Sequence, residues 1–432
     1  MHLVEKHVIA QTDPRFACVD AACFASKNLY NAALYALRQT FFLTNTSLSY
    51  PALDKRMQEH GAYRALPAKV AQQVLKQVCT AWSSFWAALL VYRETPAKFV
   101  GRPQLPTYLP KAKGRNLLVY TMQAVSRGKR TLDRGIIQPS QLGIQVKTRQ
   151  DPKAIAQVRV VPKVGYVVVE VISEHEPTVT AVDPDLLAGL DPGMDNLATL
   201  TSNKAGFVPV IVNGRGIKSC NQYYNKQRAV FQKSLGHPGR SRRVEQLTTR
   251  RNRRIEHDLH TASRFLIDLL VAEGIGTLII GKNPLQKQAI RLGKRTNQHF
   301  VQIPHARFIE MLQYKAELVG IRVILTEESY TSKASLLDLD PLPVYRKGEQ
   351  VAYQFSGKRI ERGLYRAADG RVIHADVNGA GNIIRKVAPG AFERKGVEDG
   401  ECRVHLPVVH PVRKSFPHKP AREKILAPVR IR

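Results

Sequence analysis

The order of hydrophobic patterns in the second half of the chain constrains its fold more than any other feature. Leu187 to Thr201 reads as a strand, a turn at Pro192-Gly193 and a returning strand, and Val208 to Val212 as a third strand. A long polar helical region runs from about Gly216 to Glu273 and is broken near Gly236-His237-Pro238-Gly239. Thr277 to Ile280 is a buried-type strand, Pro304 to Val319 an amphipathic helix with proline at its start, and Arg322 to Thr326 a further strand. A strand, helix, strand succession implies an α/β sheet with parallel neighbours.

The first half has a different pattern. His2 to Thr12 alternates loosely as one strand, and residues 20–42 are helical in spacing. A clearer helix runs from about Pro67 to Tyr92, where Val70, Val74, Val78, Trp82, Phe85 and Leu89 recur every three or four residues. Trp82 and Trp86 on it read as core packing between helices, with base stacking the lesser alternative. Gly101-Arg102-Pro103-Gln104-Leu105-Pro106 ends the helix. From there to Glu174 the pattern is strand-like, with Gly143–Lys147, Gln157–Val161 and Tyr166–Val171 as the runs. The first 180 residues therefore read as a β element with a helical insertion after its first strand. Glu174 to Pro184 is polar and proline-bearing, as a domain boundary would be.

Charge narrows the partners. The 432 residues carry 66 Lys+Arg against 35 Asp+Glu, a net charge of +31, and the 44% hydrophobic content is enough to bury real cores. So large a positive surplus points to a polyanion, nucleic acid or anionic lipid, and away from a small-metabolite enzyme. Residues 215–258 alone hold 12 Lys+Arg and 3 Asp+Glu. The cysteines, Cys18, Cys23, Cys79, Cys220 and Cys402, form no Cys-x-x-Cys pair and read as reduced thiols. No signal peptide and no run of about 18 apolar residues is evident, so the expectation is a soluble, cytoplasmic or nucleoid-associated protein with no membrane partner.

Against that surplus, acids at strand ends are informative. Asp191 interrupts the apolar run Ala188-Gly-Leu-Asp191-Pro-Gly193, where an unpaired carboxylate is costly to bury. Glu327 and Glu328 directly follow the strand 322–326. Asp376 begins the helix Asp376-Val-Asn-Gly-Ala-Gly-Asn-Ile-Ile384, where a plain helix-capping role is the alternative. Together these acids suggest a metal site for phosphodiester cleavage, in which two Mg²⁺ ions about 4 Å apart are held by a few carboxylates and water.

Several segments together resemble the TnpB (OrfB) family of insertion sequences, relatives of the type V CRISPR effectors. Gly189-Leu-Asp-Pro-Gly-Met-Asp-Asn-Leu-Ala-Thr199 is similar to that family's first RuvC-like motif, and Asp376-Val-Asn-Gly-Ala-Gly-Asn-Ile to its third. Thr331-Ser332-Lys333 resembles its Thr-Ser-Lys segment, Asn221-Gln-Tyr-Tyr-Asn-Lys-Gln-Arg228 its basic helix, and Gly101-Arg-Pro-Gln-Leu-Pro106 its Gly-Lys-Pro loop. The resemblance covers roughly residues 1–390.

The resemblance implies an RNA-guided DNA endonuclease with an α/β RNase H-like (RuvC) domain and an N-terminal β-barrel wedge that carries a helical recognition insertion. The corresponding bounds are 1–15 and 100–180 for the wedge, 16–99 for the insertion, and 185–332 with 374–390 for the nuclease domain. A target-nucleic-acid-binding insert spans 333–373, and 391–432 is a basic flexible tail. The implied catalytic and metal-binding acids are Asp191, Glu328 and Asp376, with two Mg²⁺ ions for which Mn²⁺ can substitute. The implied partners are a guide RNA derived from the transposon end and a double-stranded DNA target.

This chain departs from the family at two points. The second acid usually ends the strand corresponding to 277–280, where this chain has Gly281; Glu328, with Glu327 as the fallback, is the expected replacement. The family's four-cysteine zinc ribbon is also missing, since residues 334–373 contain no cysteine, so no structural zinc is expected. A guide-directed binder that has lost cleavage, and a guide-independent DNA-binding transposition factor, are the competing readings.

Nucleic-acid contacts are expected from Arg250, Arg251, Arg253 and Arg254 through backbone phosphates, and from Tyr223, Tyr224, Lys226, Arg228, Thr331, Ser332 and Lys333. Tyr223 and Tyr224 are equally suited to stacking on bases or to packing in the protein.

Overall fold

The computed structural model describes residues 1–126, 134–235, 241–282, 302–345, 352–392 and 410–416. The chain divides into two compact units, Met1–Glu176 and Pro177–Arg432, so the break falls in the polar, proline-bearing stretch.

In the first unit, strand β1 (His2–Ala10) leads into helices α1 (Phe16–Thr44), α2 (Tyr50–Met57), α3 (Gly61–Arg64) and α4 (Ala68–Glu94). Strands β2 (Leu118–Thr121), β3 (Ile136–Ile137), β4 (Val146–Lys147), β5 (Ile155–Lys163) and β6 (Tyr166–Glu174) follow. The antiparallel sheet has the order β1-β6-β5-β2, and β3 pairs with β4 apart from it. No pairing among the described residues closes this sheet into the expected barrel.

The helical segment and the sheet also share one core. Leu29 and Leu34 of α1, Val70 and Val74 of α4, and Val158 and Val169 of the sheet belong to a single buried cluster. The insertion and the β element are therefore one packed body. By length and composition α4 is apolar enough to cross a membrane, which the sequence reading did not register. Its Val70, Val74, Val78 and Trp82 face is buried in this core. Phe41 meets Trp82 and Trp86 edge-on at ring separations of 5.7 and 5.3 Å, so both tryptophans serve packing.

The second unit is built on β7 (Asp183–Asp191), β8 (Asn196–Ser202) and β9 (Val210–Asn213), followed by helices α5 (Arg215–Leu235) and α6 (Arg242–Ala272). Then come β10 (Ile275–Gly281), α7 (His305–Glu317), β11 (Arg322–Thr326), β12 (Lys358–Glu361), β13 (Leu364–Arg366), β14 (Val372–His374), α8 (Ala375–Val387) and β15 (Val412–Lys414). The large sheet runs β11-β10-β7-β8-β9-β15. Its first three strands in sequence are antiparallel neighbours, and β10 and β11 add in parallel beside β7. This is the RNase H-like order.

Strand β10 is buried on both faces, and the two-residue period of a strand divides its side chains. Leu278 and Ile280 pack with Leu259 and Leu266 of α6 and Phe308 and Leu312 of α7. Ile279 packs on the other face with Ile383 and Ile384 of α8. Helix α6 begins at Ser241, whose hydroxyl accepts from the Val244 N–H, an N-cap of the usual kind.

The insert forms a small sheet, β12-β13-β14, with its own apolar cluster of Leu337, Tyr365, Ala367, Ile373 and Ala375. The Tyr365 hydroxyl donates to the Lys333 carbonyl, and buried Asp340 accepts from the Ser335 and Ser356 N–H groups and the Ser356 hydroxyl. These contacts tie the small sheet to the segment that precedes it.

The tail departs from expectation. Most of residues 391–432 lies outside the described residues, but Val412–Lys414 pairs in parallel with β9 and extends the large sheet. A segment read for the most part as a flexible tail therefore includes a strand, because the edge of β9 offers backbone groups for pairing.

Candidate functional site

The register of the parallel strands gathers the acids. Leu190 lies opposite Ile280, and Ile280 opposite Leu325, so Asp191, Gly281 and Thr326 end their strands side by side. The chain leaving β11 turns back there and lays Glu328 over Gly281. A methyl group on Gly281 would come within 2.6 Å of Glu328 Oε1 and 2.7 Å of Glu328 Cγ. The space that a side chain at position 281 would take is thus filled by Glu328.

Glu327 turns elsewhere. It pairs with Lys386 of α8, and its carboxylate also accepts from the Ser329 N–H at 2.7 Å. Burial alone would raise its pKa, but Lys386 and Ser329 more than offset that and hold it below the usual range. Glu328 has the opposite balance. Burial, then the Asp191 charge, then Glu327 push its pKa up to about 8. The two neighbours are thereby assigned different environments, and only Glu328 faces Asp191 electrostatically.

Helix α8 presses flat on β7 at this point. A side chain on Gly189 would strike the Ala380 carbonyl, and one on Gly379 would approach Asp191 Oδ2 to 3.0 Å. Small residues at these positions let Asp376, in the first turn of α8, lie close to Asp191. The Asp191 carboxyl keeps some solvent access, yet protein atoms crowd it. Desolvation first and the Asp376 charge second raise its pKa to about 7, opposed by Arg359.

Asp376 is held from several sides. Its N–H donates to Nδ1 of the capping His374 at 3.2 Å, Asn196 Nδ2 donates to its Oδ2 at 2.5 Å, and Arg359 stands 3.7 Å from Oδ1. A cavity of about 320 Å³ opens over the pair, lined by Asp191, Asp376 and Asp195 together with Arg215, Arg359, Arg362 and Arg413. Glu328 lines a neighbouring cavity of about 730 Å³ with Tyr330, Ser332, Lys333 and Tyr345.

Among the described residues no three acidic, imidazole or thiol side chains stand at metal-ligating spacing. The chemistry of the acids still suits a hard divalent cation. They offer oxygen ligands only, and burial desolvates Asp191 and Glu328. One or two carboxylates with substrate phosphates and water are enough for Mg²⁺.

The loop between the acids is clamped by α8. Asn378 Nδ2 donates to the Ala334 carbonyl, and its Oδ1 accepts from the Leu336 N–H. Asn382 Nδ2 donates to the Thr331 and Ala334 carbonyls. Thr331 itself is 3% exposed and its hydroxyl donates to the Glu328 carbonyl, so it supports the turn and has no face left for nucleic acid. Ser332 and Lys333 are exposed at the cavity rim.

On the helical pair α5–α6, Tyr223 is 59% exposed whereas Tyr224 is buried, its hydroxyl 3.1 Å from Thr248 Oγ1. Tyr224 therefore packs; it does not stack on bases. Arg251 lies over its ring and spends its guanidinium on Asn221 Oδ1, Asn252 Oδ1 and the Gln302 carbonyl. It ties the helices together and is not a phosphate contact. Lys226, Arg228, Arg250, Arg253 and Arg254 are exposed.

Sequence reasoning assigned no role to Asn196, Asp195, His374, Arg359, Arg362, Arg413 or Lys386. Asn196 and Asp195 stood inside the first motif, and the crowding of basic residues in Lys358-Arg359…Arg362 was the one available signal for the arginines.

Residues 167–286 match the family OrfB_IS605, described as a probable transposase. This segment is similar to that family. Residues 305–383 match a second family model, the Cas12f1-like TNB domain. The OrfB segment carries Asp191 and Gly281, and the second match carries Glu328 and Asp376.

Among solved structures, a Cas12f1 complex with single-guide RNA and target DNA is 12% identical, with 88% of this chain and 98% of that chain covered and a TM-score of 0.34. The mini-RNA-guided endonuclease Cas_phi3 is 8% identical over 89% and 92%, with a TM-score of 0.45. C2c1 of Alicyclobacillus acidoterrestris with single-guide RNA is 8% identical over 86% and 70%, with a TM-score of 0.38. No curated protein matches the chain.

Proposed function

We propose that this chain is an RNA-guided, Mg²⁺-dependent DNA endonuclease of an insertion sequence, and that it cuts at the site formed by Asp191, Glu328 and Asp376. The observation that carries this reading is the Glu328 side chain lying in the space over Gly281, beside the end of Asp191's strand, where an acid is otherwise expected.

Asp191 and Asp376 would hold the cation, with Glu328 completing its shell. Bound there, Mg²⁺, or Mn²⁺ in its stead, supplies Lewis acidity for the attacking water and the departing oxygen. The protein's own groups do the rest. Asn196 keeps the Asp376 carboxylate oriented, and Arg215, Arg359 and Arg362 give the cavity a cationic rim suited to phosphate. Exposed Lys226, Arg228, Arg250, Arg253 and Arg254 would track nucleic-acid backbone, with Tyr223 available for stacking. In the same reading the first unit acts as wedge and recognition element, the insert at 333–373 binds target strand without zinc, and the protein works in the cytoplasm at the nucleoid.

A guide-directed binder without cleavage is the second reading, favoured by the lack of a ready three-ligand cluster among the described residues. One experiment separates the readings. The chain is expressed with its flanking transposon DNA, the bound RNA is sequenced, and the complex is offered matched DNA with Mg²⁺. A defined transposon-end RNA with cutting supports the nuclease. The same RNA without cutting supports the binder, and no defined RNA overturns both.

A further inference from the structure

We propose that Arg413, delivered by the C-terminal strand β15, is a positioning residue of the carboxylate site and acts on Asp376 through Asn196. Arg413 Nη1 donates to Asn196 Oδ1 at 2.6 Å, and Asn196 Nδ2 donates to Asp376 Oδ2 at 2.5 Å. A side-chain amide has one oxygen that accepts and one nitrogen that donates, whereas a guanidinium only donates. Arg413 can therefore bond only the Asn196 oxygen, and that leaves the NH₂ turned toward the carboxylate. The flipped amide would set oxygen against the Asp376 carboxylate, and Arg413 adds a second contact that holds the amide the right way round.

The two oxygens of Asp376 are then addressed separately, Oδ2 by Asn196 and Oδ1 by Arg359. Arg413 also lines the cavity that Asp191 and Asp376 open into.

The strand that brings Arg413 has its own seat. Val412, Arg413 and Lys414 pair with Val210, Ile211 and Val212 of β9, and the Val412 N–H donates to the Pro209 carbonyl at 2.8 Å. Ser415 Oγ accepts from Asn213 Nδ2 at 3.0 Å, and Phe416 meets Phe265 edge-on at 5.7 Å. All three strand residues are exposed, so the seat is shallow, of the kind that opens at low cost. Docking of the tail is thus coupled to the geometry of a residue far from it in sequence.

The consequence for cutting rests on the nuclease reading; the relay itself is tested by metal binding. Mn²⁺ affinity of the full chain is measured by the paramagnetic resonance signal of free Mn²⁺, with Asp191→Ala marking the site. Arg413→Ala is expected to weaken Mn²⁺ binding about tenfold, the usual effect of losing a group that orients a ligand. Arg413→Lys, which still donates, should return it to within about threefold. The Arg413→Ala/Asn196→Ala double variant should bind no worse than Asn196→Ala alone, because the two act in series. Phe416→Ala, which loosens the strand that carries Arg413, should weaken Mn²⁺ binding in the same direction as Arg413→Ala.

An Arg413→Ala affinity within about twofold of wild type overturns the relay, as do additive effects in the double variant. Loss in Arg413→Ala that Arg413→Lys does not rescue overturns it too. Mn²⁺ binding that follows this pattern in a chain that does not cut DNA would support the relay and refute the nuclease.

Discussion

The two units of this chain treat their acids in opposite ways. In the first unit, acids are answered locally. Glu5 accepts from the Thr148 hydroxyl at 2.5 Å and from the Arg149 N–H, Asp13 is gripped by Arg15, and Asp20 by Arg115. For Glu5, burial alone would raise the pKa, but Thr148, Arg149 and His7 hold it below the usual range. In the second unit, burial and the Asp376 charge raise the pKa of Asp191, and burial and the Asp191 charge raise that of Glu328. The first arrangement stabilises a fold. The second costs stability and persists at strand ends that face a cavity, which is the signature of a site awaiting a positive partner.

The largest test of that contrast is Asp191→Ala. It is expected to lower DNA cleavage by at least about 10³-fold while guide RNA still co-purifies. Undiminished cutting would remove the second unit's acids from the chemistry altogether. Next, Glu328→Gln should lose about 10²-fold or more in single-turnover cleavage, and Glu327→Gln should stay within about threefold, since Glu327 is committed to Lys386. Gly281→Ala should resemble Glu328→Gln, because its methyl group would displace the Glu328 carboxylate. Equal rates for the two glutamate variants would break the assignment.

Stability gives a smaller and independent test. Asp191 and Glu328 keep their protons to higher pH in the folded state than in the unfolded one. Their stabilising contribution is whole below about pH 4 and is lost as pH rises toward about 7 for Asp191 and about 8 for Glu328. Without divalent metal, Asp191→Asn should therefore be more stable than wild type at pH 8, by about 1–2 kcal/mol after allowing for partial solvent access, and no more stable at pH 4. Thermal melts across pH decide it; a gain that persists at pH 4 would mean the effect is not electrostatic.

The smallest effect belongs to the first unit and has the opposite sign. Glu5→Gln should cost about 0.5–1 kcal/mol at pH 7, and the cost should fade as pH drops through the lowered pKa of Glu5. A stabilising Glu5→Gln would erase the distinction between the units.

Much of the large sheet was legible from the chain. The hairpin, the third strand, the two later strands and their intervening helices lie within a few residues of the expected bounds, because a strand buried on both faces needs a continuous apolar run and an amphipathic helix a regular stripe. Asp191 and the pair Glu327-Glu328 stood out beside apolar strand runs, and Asp376 at a helix start. The short helices α2 and α3 were missed, being too short for a periodic signal. The choice for Tyr224 between stacking and packing stayed open and Arg251 was read as a phosphate contact, because exposure on a polar helix depends on which face its partner covers, and the partner, Gln302 and Asn221 included, is set by packing.

The sequence by itself determined the order of strands and helices, the surplus of positive charge and the small set of acids able to serve a cation. Those follow from local patterning and composition. Only the tertiary structure decided that Glu327 goes to Lys386 while Glu328 fills the space over Gly281, that Thr331 supports a turn, and that a strand from the tail brings Arg413 to Asn196. Each of these depends on strand register and on which surfaces meet, and residues far apart in the chain carry no record of that until the sheet assembles.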